Sequence, residues 1–302
     1  MKRARINRLL LEWYAGHGRT HLPWRRTRDP YLVLVSEFML QQTQVERVLP
    51  KYEAFVARFP DLGSLASAST ADVVRAWKGL GYNSRAVRLK QIAGAVVERF
   101  GGRIPRDEPA LQELPGIGTY TARAIMAFAF ELRAAAVDTN LRRVLHRVLY
   151  GVEHPPRASD AELEALASDF VPSAQSHDWN SALMDLGAAI CTARAPKCLI
   201  CPLSQVCAAY PIDGAALERA RSSNGRGRPR QPPFEQTTRF ARGRIVDRLR
   251  ELAPGARISL LDLHRDLGPS TGRGADEIRR IAGELQRDGV VEIHGDMVAL
   301  GE

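Results

Sequence analysis

Apolar positions recur every three or four residues along most of the chain, which is the spacing of helices with one buried face. Residues 5–17 carry the first such stripe. At Asp29-Pro30 an aspartate cap precedes a proline at the first helical position, which predicts a helix to about Val48. The same periodicity predicts further helices over 71–78, 83–100, 108–113, 120–130, 139–150, 159–171 and 178–190.

The last third of the chain has a different pattern. Residues 213–236 are polar, basic and poor in apolar side chains, which predicts a linker. Beyond it, helices over 239–252, 259–267 and 275–288 and a hairpin over 290–300 are predicted. This order suggests a winged-helix-like module, in which Arg273, Arg279 and Arg280 would contact a DNA backbone. A small packing or dimerisation module is the alternative.

Two glycine turns interrupt the helical pattern. Gly116 and Gly118 separate two predicted helices, which gives a helix-hairpin-helix. The peptide N–H groups of such a turn, followed by a helix N-terminus, would bind a phosphate, although a plain interhelical turn is the alternative. An earlier glycine turn ends in Tyr82, whose ring would wedge between bases or simply close the loop.

Glu37 lies on a mainly apolar face of the helix predicted over 30–48. Its carboxyl group should be partly desolvated, which suits a general acid near neutral pH. The alternative is a glutamate at the edge of the face that pairs with an arginine. The polar run over 41–44 follows directly, and its amide side chains would hydrogen-bond an orphaned base in a DNA stack.

Two further segments carry groups suited to DNA chemistry. The loop around Trp24 and Arg25 joins an aromatic ring to a cation, which can stack on a base or hold a phosphate. A tryptophan that fills the core is the alternative. Asp138 is placed as the N-cap of the next predicted helix, and a carboxylate held by backbone N–H groups stays ionised and can stabilise a developing cation.

The charge of the chain points to a polyanionic partner. Lys and Arg number 43 against 34 Asp and Glu, a formal net charge of +9 over 302 residues. Nucleic acid is the commonest partner of so basic a chain, and an acidic membrane surface is the rival. No apolar run reaches the ~18 residues of a membrane span, and the basic N-terminus lacks a secretory apolar core, so a cytoplasmic protein is expected.

All four cysteines lie within seventeen residues, at Cys191, Cys198, Cys201 and Cys207, spaced C-x6-C-x2-C-x5-C. Four thiolates at short spacing hold a zinc ion or an iron–sulfur cluster in a reducing compartment. Zinc ribbons usually use two close pairs, and here only the middle pair is close. The spacing therefore favours one cluster wrapped by a loop.

Together these residues resemble the helix-hairpin-helix DNA glycosylases with an iron–sulfur cluster, the endonuclease III superfamily. The resemblance covers roughly residues 8–210, and the cysteine spacing matches the [4Fe-4S] signature of that superfamily. Residues 22–25, 36–45 and 79–82 look like the branch of MutY-type adenine glycosylases. The string Ser-Glu-x-Met-Leu-Gln-Gln-Thr within 36–45 is the most discriminating.

The resemblance implies a role for each position. The target adenine would be flipped from the duplex into a pocket between two helical domains. Glu37 would protonate N7 of the adenine, Asp138 would stabilise or transiently capture the oxocarbenium-like sugar, and Asn140 would orient the catalytic groups or water. Tyr120 stands where bifunctional relatives carry a Schiff-base lysine, which implies a monofunctional glycosylase without efficient AP lyase activity. Contacts with DNA are implied at Trp24, Arg25, Leu40, Gln42, Thr43, Tyr82, Gly116, Gly118 and Asp185, and a [4Fe-4S] cluster is implied on the four cysteines.

The implied fold is an all-α, two-domain helix-hairpin-helix glycosylase with a cluster loop. Its expected parts are an N-terminal helix (1–21) packing with the cluster domain, a six-helix barrel domain (22–133), the cluster domain (134–212), a basic linker (213–236) and the winged-helix-like module (237–302). The expected partner of the chain, as a monomer without membrane contact, is double-stranded DNA with a mismatched or oxidised base pair, in the cytoplasm and associated with the nucleoid.

Two departures keep other functions open. The Phe-Ser-His tripeptide by which MutY enzymes read 8-oxoguanine is absent, and Asp185 stands where their pockets usually place a glutamate. Residues 102–106, 118–121 and 183–185 also look like the mismatch-specific thymine glycosylases, so a G/T or G/U mismatch glycosylase is the alternative. Those relatives lack the Glu37 equivalent. Adenine, opposite 8-oxoguanine or guanine, is favoured because the departure of a purine gains from N7 protonation and thymine has no N7. A non-catalytic iron–sulfur DNA-binding protein is a further alternative.

Overall fold

The computed structural model describes residues 2–152, 156–225 and 232–302. Helices dominate, as the periodicity predicts. The α-helices are α1 (Lys2–His17), α2 (Pro23–Arg26), α3 (Pro30–Leu40), α4 (Val45–Arg58), α5 (Leu62–Ser67), α6 (Thr70–Ala76), α7 (Ser84–Phe100), α8 (Glu108–Gln112), α9 (Thr119–Phe128), α10 (Thr139–Tyr150), α11 (Asp160–Phe170), α12 (Ser176–Ala189), α13 (Gly214–Gly225), α14 (Thr238–Arg250), α15 (Leu260–Thr271) and α16 (Ala275–Arg287). The strands are β1 (Ile258–Ser259), β2 (Val291–His294) and β3 (Met297–Leu300). Of the described helices, none is both long and apolar enough to cross a membrane.

The chain forms two compact units. The first consists of Met1–Leu34, Arg106–Glu113 and Ile117–Arg228, and the second of Val35–Pro105, Leu114–Gly116 and Pro229–Glu302. The domain boundaries implied by the family resemblance differ from this division, because the C-terminal module shares a unit with residues 35–105. Those boundaries stay a prediction.

In the first unit, helices α1, α10, α11 and α12 surround one apolar cluster. Trp179 of α12 is 1% exposed in this cluster. Its indole N–H donates to Asn7 Oδ1 at 2.9 Å, and Asn7 Nδ2 donates to the carbonyl of Phe170 at 2.7 Å. The N-terminal helix is therefore joined to α11 and α12 by polar contacts as well as by apolar packing.

In the second unit, the C-terminal module is packed against α6 and α7. Its apolar cluster includes Val74 and Val87 from those helices. Arg250 of α14 donates to the carbonyl of Val74 and to Asn83 Oδ1, both at 2.8 Å. The Thr70 hydroxyl donates to the carbonyl of Glu302 at 2.7 Å. These contacts fix the module to the helices that flank Tyr82.

The module contains the three helices and the hairpin that the sequence predicted, in the order helix, strand, helix, helix, strand, strand. Its assignment as a winged-helix-like module stays a prediction. Its antiparallel sheet has the strand order β1-β3-β2, and Val291 pairs with Leu300 in the predicted hairpin. Gly295 has a φ of 60° in the hairpin turn, a conformation that favours glycine. Strand β1 is too short for periodicity to show, and the sequence did not predict it.

The prediction of one continuous helix over 30–48 is wrong beyond Leu40. Residues 41–44 form a turn, and a separate helix, α4, begins at Val45. Arg85 of α7 explains the break, because its guanidinium donates to the carbonyls of Phe38 at 2.8 Å and Met39 at 3.1 Å near the end of α3. A residue more than forty positions away thus ends a helix that the local pattern would continue.

Part of the segment predicted as a linker is helical. α13 covers Gly214–Gly225, and the N–H of Ala215 donates to Asp213 Oδ1 at 2.9 Å at its start. Leu217 is 3% exposed, so this helix buries an apolar side chain that the polar composition of the segment concealed. Residues 226–231 of the predicted linker lie outside the described residues.

Candidate active site and iron–sulfur centre

Glu37 is a buried carboxylic acid in the second unit. It lies on α3 and is 7% exposed, beside Ser36 and Phe38, which are both 1% exposed. The sequence expected this burial from the apolar residues around Glu37 on the helix. The structure therefore confirms the burial that the sequence expected, and the role of Glu37 as a general acid stays a prediction.

Arg85 joins the two segments predicted to enter a DNA stack, which are residues 41–44 and the glycine turn that ends in Tyr82. The sequence did not point to Arg85. Arg85 is 5% exposed and donates to the Thr43 hydroxyl at 3.2 Å, and to the carbonyls of Leu80 at 3.0 Å and Gly81 at 3.2 Å. Burial lowers the pKa of Arg85 to about 10, so the guanidinium stays charged at neutral pH. Its position three residues after Tyr82 is the only signal the sequence offered.

Gln42 and Tyr82 each adopt the left-handed conformation, with φ of 54° and 45°. That conformation is uncommon for residues other than glycine and marks a position worth functional scrutiny. Both side chains are exposed, whereas Leu40 and Thr43 are half-buried. The structure thus presents Gln42 and Tyr82 to solvent on adjacent turns, as a contact with DNA requires.

Asp138 begins α10 in the first unit, as predicted. It accepts the N–H of Leu141 at 2.7 Å, and Asn140 Nδ2 donates to it at 3.2 Å. Burial raises the pKa of Asp138, against the lowering effect of the Leu141 and Asn140 N–H groups and of Arg143. The N-cap hydrogen bonds alone would lower the pKa of Asp138. The pKa is raised instead because the carboxyl group is more buried than the sequence indicated.

Arg143 connects this carboxylate to the cysteine loop. It donates to Asn140 Oδ1 at 2.8 Å, to the carbonyl of Gly187 at 2.7 Å and to the carbonyl of Cys191 at 2.8 Å. Asn140 therefore has one neighbour in Asp138 and another in Arg143. The sequence placed Asp138 and Asn140 but missed Arg143, whose spacing of three residues from Asn140 on a helix was the available signal.

Tyr120 lies in the first turn of α9 and is half-buried. The hairpin before it contains two exposed glycines, which differ in backbone conformation and in the space around them. Gly116 has a φ of 80°, and a Cβ there would lie 2.9 Å from Arg88 Cδ. Gly118 has a φ of −94° with open space around it, so only Gly116 is required by the geometry of the turn.

Trp24 and Arg25, which were predicted to contact DNA, lie in the interior of the first unit. Trp24 is 5% exposed and belongs to the short helix α2, so it fills the core, which was the alternative interpretation. Arg25 donates to the Ser181 hydroxyl and lies over the Phe128 ring at 5.4 Å. Its side chain is 8% exposed, which leaves little surface for a phosphate.

Asp185 is occupied by Arg19, a pairing that the sequence reasoning missed. Its carboxylate accepts from the Arg19 backbone N–H at 2.8 Å, from Nε at 2.9 Å and from Nη2 at 2.7 Å. Its side chain is 3% exposed. The structure thus pairs the buried Asp185 carboxylate with Arg19, whose side chain is 35% exposed, and places Arg25 Nη2 3.8 Å from it. The contact with a base implied by the resemblance stays a prediction.

The four cysteines line one small apolar cavity in the first unit. None of the four forms a disulfide bond, and burial raises the pKa of Cys201 to about 11. Arg147 donates to the carbonyl of Thr192 at 2.8 Å and lies 3.5 Å from Cys191 Sγ. Four cysteine side chains around one cavity provide the thiolate ligands that a four-iron cluster requires.

Comparisons with known proteins agree with this arrangement. The profile of the HhH-GPD superfamily of base excision DNA repair proteins matches residues 35–169, and that of the iron–sulfur binding domain of endonuclease III matches residues 191–207. The second match and the four-cysteine cavity identify the cofactor as a [4Fe-4S] cluster on Cys191, Cys198, Cys201 and Cys207. A bound cluster would hold the cysteine loop in shape.

Individual relatives are similar over most of the chain. The adenine DNA glycosylase of Mycolicibacterium smegmatis is 42% identical over 246 residues, which cover 80% of this chain and 79% of that protein. The thymine/uracil-DNA glycosylase of Methanothermobacter thermautotrophicus is 35% identical over 206 residues, 68% of this chain and 92% of that protein. The structure of a thermostable thymine-DNA glycosylase matches with a TM-score of 0.64 and 36% identity, covering 69% of this chain and 96% of that one. The chain therefore belongs to the adenine DNA glycosylase family, within the HhH-GPD superfamily of base excision DNA repair proteins.

Proposed function

We propose that this protein excises adenine paired with 8-oxoguanine or guanine in duplex DNA, by hydrolysis of the N-glycosidic bond. The observation that carries the proposal is the buried carboxylic acid Glu37, 7% exposed, within the string that resembles MutY-type enzymes. A purine leaves more readily once N7 is protonated, and a buried carboxylic acid can supply that proton. The family membership supports the same base.

In this proposal the remaining groups act on the sugar. As the base departs, positive charge develops on the deoxyribose, and the Asp138 carboxylate stabilises it. Asn140, which donates to Asp138 at 3.2 Å and accepts from Arg143 at 2.8 Å, keeps that carboxylate in orientation. The geometry of Asp138 is thus set by its own helix and by the neighbouring arginine.

We further propose that the enzyme is monofunctional. A lyase reaction needs an amine that forms an imine with the opened sugar, and the matching position holds Tyr120, whose phenol cannot do so. Strand breaks should therefore appear mainly after alkali treatment.

A thymine or uracil mismatch glycosylase is the second candidate. It is supported by the relative from Methanothermobacter thermautotrophicus and by Asp185, which stands where MutY pockets usually place a glutamate. Glu37 disfavours it, because thymine has no N7 to protonate.

We propose that the enzyme acts as a monomer on double-stranded DNA in the cytoplasm, in association with the nucleoid.

The test is single-turnover base release from four duplexes, with A opposite 8-oxoguanine, A opposite G, T opposite G and U opposite G. Each reaction is quenched with and without alkali. Release of adenine with strand breaks only after alkali supports both proposals. Release of thymine or uracil without adenine favours the second candidate, and tight duplex binding without any release indicates a non-catalytic DNA-binding protein.

A further inference from the structure

An open apolar groove lies beside the four cysteines in the first unit. It has a volume of about 520 Å³, and we name it the Leu199–Tyr210 groove. Its walls include Lys197, Cys198, Leu199, Ile200, Tyr210 and Pro211. Leu199 is 90% exposed, Ile200 66% and Tyr210 42%. Apolar side chains that are exposed together in this way mark a surface that a partner covers.

The groove is continuous with the cavity that the four cysteines line. Cys198, Lys197 and Tyr210 belong to the walls of both. Cys198 begins a short 3-10 helix, Cys198–Ile200, and its carbonyl accepts the N–H of Cys201 at 3.2 Å. One turn of the chain thus carries a cluster ligand together with Leu199 and Ile200. A molecule seated in the groove therefore contacts the turn that presents a cluster ligand.

The rest of the cysteine loop is held against α10. The N–H of Ala208 donates to the carbonyl of Val148, and the N–H of Ala209 donates to the carbonyl of Arg147, both at 3.0 Å. These bonds fix the loop on the side of the helix, while Leu199 extends into solvent. The exposed apolar surface is thus a feature of an anchored segment.

The chemistry of the groove fits a protein better than a nucleic acid. Duplex DNA presents charged phosphates, whereas the side chains of Leu199, Ile200 and Pro211 contain no hydrogen-bond donor. Lys197 adds an exposed cation to the wall. An iron–sulfur core with four thiolate ligands has a net negative charge. Apolar side chains beside a cation therefore match a protein surface that holds such a cluster.

We propose that the Leu199–Tyr210 groove is the docking site of a carrier protein that delivers the [4Fe-4S] cluster. A carrier seated there holds its cluster beside Cys198. Delivery is a ligand exchange with no change of oxidation state. Each bond from iron to a carrier thiolate breaks, and a bond from the same iron to a cysteine sulfur of this chain forms. The proton of the incoming thiol passes to the departing carrier thiolate. The proposal does not depend on which base the enzyme releases.

The test measures cluster transfer to the full-length chain, from which the cluster has been removed under anaerobic, reducing conditions. The donor is a purified bacterial iron–sulfur carrier protein that holds a [4Fe-4S] cluster on thiolate ligands. The readout is the initial rate at which iron appears on this chain, measured after the two proteins are separated. We expect Leu199→Ser and Ile200→Ser each to slow this transfer about tenfold, the scale of one lost apolar contact in docking. Both side chains are exposed, so the variants should fold normally.

Two controls separate docking from other roles of these side chains. Chemical reconstitution with ferrous iron and sulfide needs no carrier, so both variants should acquire the cluster in it at the wild-type rate. The matched substitution is Leu261→Ser, which changes a leucine that is 66% exposed in the second unit, outside the groove. It should leave the rates of both reactions unchanged.

Four results would overturn the proposal. They are an unchanged rate of carrier-mediated transfer in both groove variants, an equal slowing in Leu261→Ser, and the absence of transfer to a wild type that chemical reconstitution loads. The fourth is an equal slowing of chemical reconstitution, which would assign Leu199 and Ile200 to the shape of the loop. Weaker duplex binding by the loaded variants together with unchanged transfer would assign the groove to DNA instead.

Discussion

Two carboxylic acids carry the proposed chemistry, and their surroundings differ. Glu37 is 7% exposed on a helix whose neighbouring residues are apolar, whereas Asp138 accepts two hydrogen bonds at the start of α10. At Asp138 the N–H donors favour the carboxylate, but burial has the larger effect and raises the pKa of this group. The proposed division into a proton donor and a charge-stabilising group therefore rests on the family resemblance rather than on the two environments alone.

Replacement of Glu37 tests the acid role. Glu37→Gln keeps the volume and removes the proton donor, so we expect single-turnover adenine release to fall about a hundredfold or more. Binding to the same duplex, measured by anisotropy, should stay close to the wild type. Glu46→Gln, an exposed glutamate of α4, is the control and should retain full activity. Retained base release in Glu37→Gln would contradict the proposed mechanism.

The raised pKa of Asp138 makes the free energy of unfolding depend on pH. Burial raises this pKa from its usual 3.8, so the folded chain holds the proton more tightly than the unfolded chain. The free energy of unfolding therefore falls as the pH rises through this titration. Asp138→Asn keeps an N-cap acceptor and removes the titration. We expect the stability of the variant relative to the wild type to increase between about pH 4 and pH 7.

The measurement is urea unfolding of both proteins at the two pH values, together with base release. Base release by Asp138→Asn should fall at least about a hundredfold, because the charge opposite the developing cation is lost. A relative stability that decreases with pH would show that the Asp138 pKa is lowered rather than raised.

At the scale of elements, long-range side-chain contacts decide where helices end and how they approach. Arg85 donates to carbonyl groups at the end of α3, where the helix stops. Gly187 lets α12 approach α10 closely. A Cβ at Gly187 would lie 2.8 Å from Asn140 Cβ and 3.3 Å from Arg143 Nη2. The small residue thus leaves room for Asn140 and Arg143 where α12 contacts α10.

Gly187→Ala should therefore act on stability and activity together. We expect a loss of about 1–3 kcal/mol in the free energy of unfolding, from overpacking, and slower base release as Asn140 shifts. The control is Gly94→Ala within α7, where a Cβ meets nothing within 4 Å. That change should stabilise by about 0.5–1 kcal/mol. Equal effects of both substitutions in chemical denaturation would contradict the close-approach argument.

At the scale of the whole molecule, the C-terminal module is part of the second unit rather than an attached accessory. Val74 and Val87 contribute to its apolar cluster, and Arg250 donates to a carbonyl of α6. The module and helices α6 and α7 should therefore unfold together, and any function of the module is exerted from a fixed position beside Tyr82.

Val87→Ala tests this coupling. Val87 is 4% exposed within the shared cluster, so we expect a loss of about 1–3 kcal/mol and faster hydrogen exchange in β2, β3 and α14. Val97→Ala on the same helix is the control, since Val97 is 42% exposed. Its effect should stay within about 0.5 kcal/mol. Unchanged exchange in the module of Val87→Ala would show that the module folds independently.

The sequence alone determined the features that depend on neighbouring residues. Helical periodicity located α1, α7, α10, α11 and α12 and the helices of the C-terminal module, because a buried helix face leaves a regular local pattern. The cysteine spacing indicated the cluster loop because all four ligands lie within one short segment of the chain. The burial of Glu37 and the N-cap position of Asp138 were predicted because local sequence defines an apolar helix face and a helix start, and their catalytic roles stay a proposal.

Only the tertiary structure decided the features that join distant residues. The burial of Trp24, the Arg19–Asp185 pair and the contacts of Arg85 and Arg143 connect positions up to 166 residues apart, and no local pattern records them. The hydrogen bond from Arg239 to the Tyr82 hydroxyl likewise joins residues 157 positions apart. The physical reason is that periodicity specifies which face of a helix is buried, whereas packing selects the side chains that meet there.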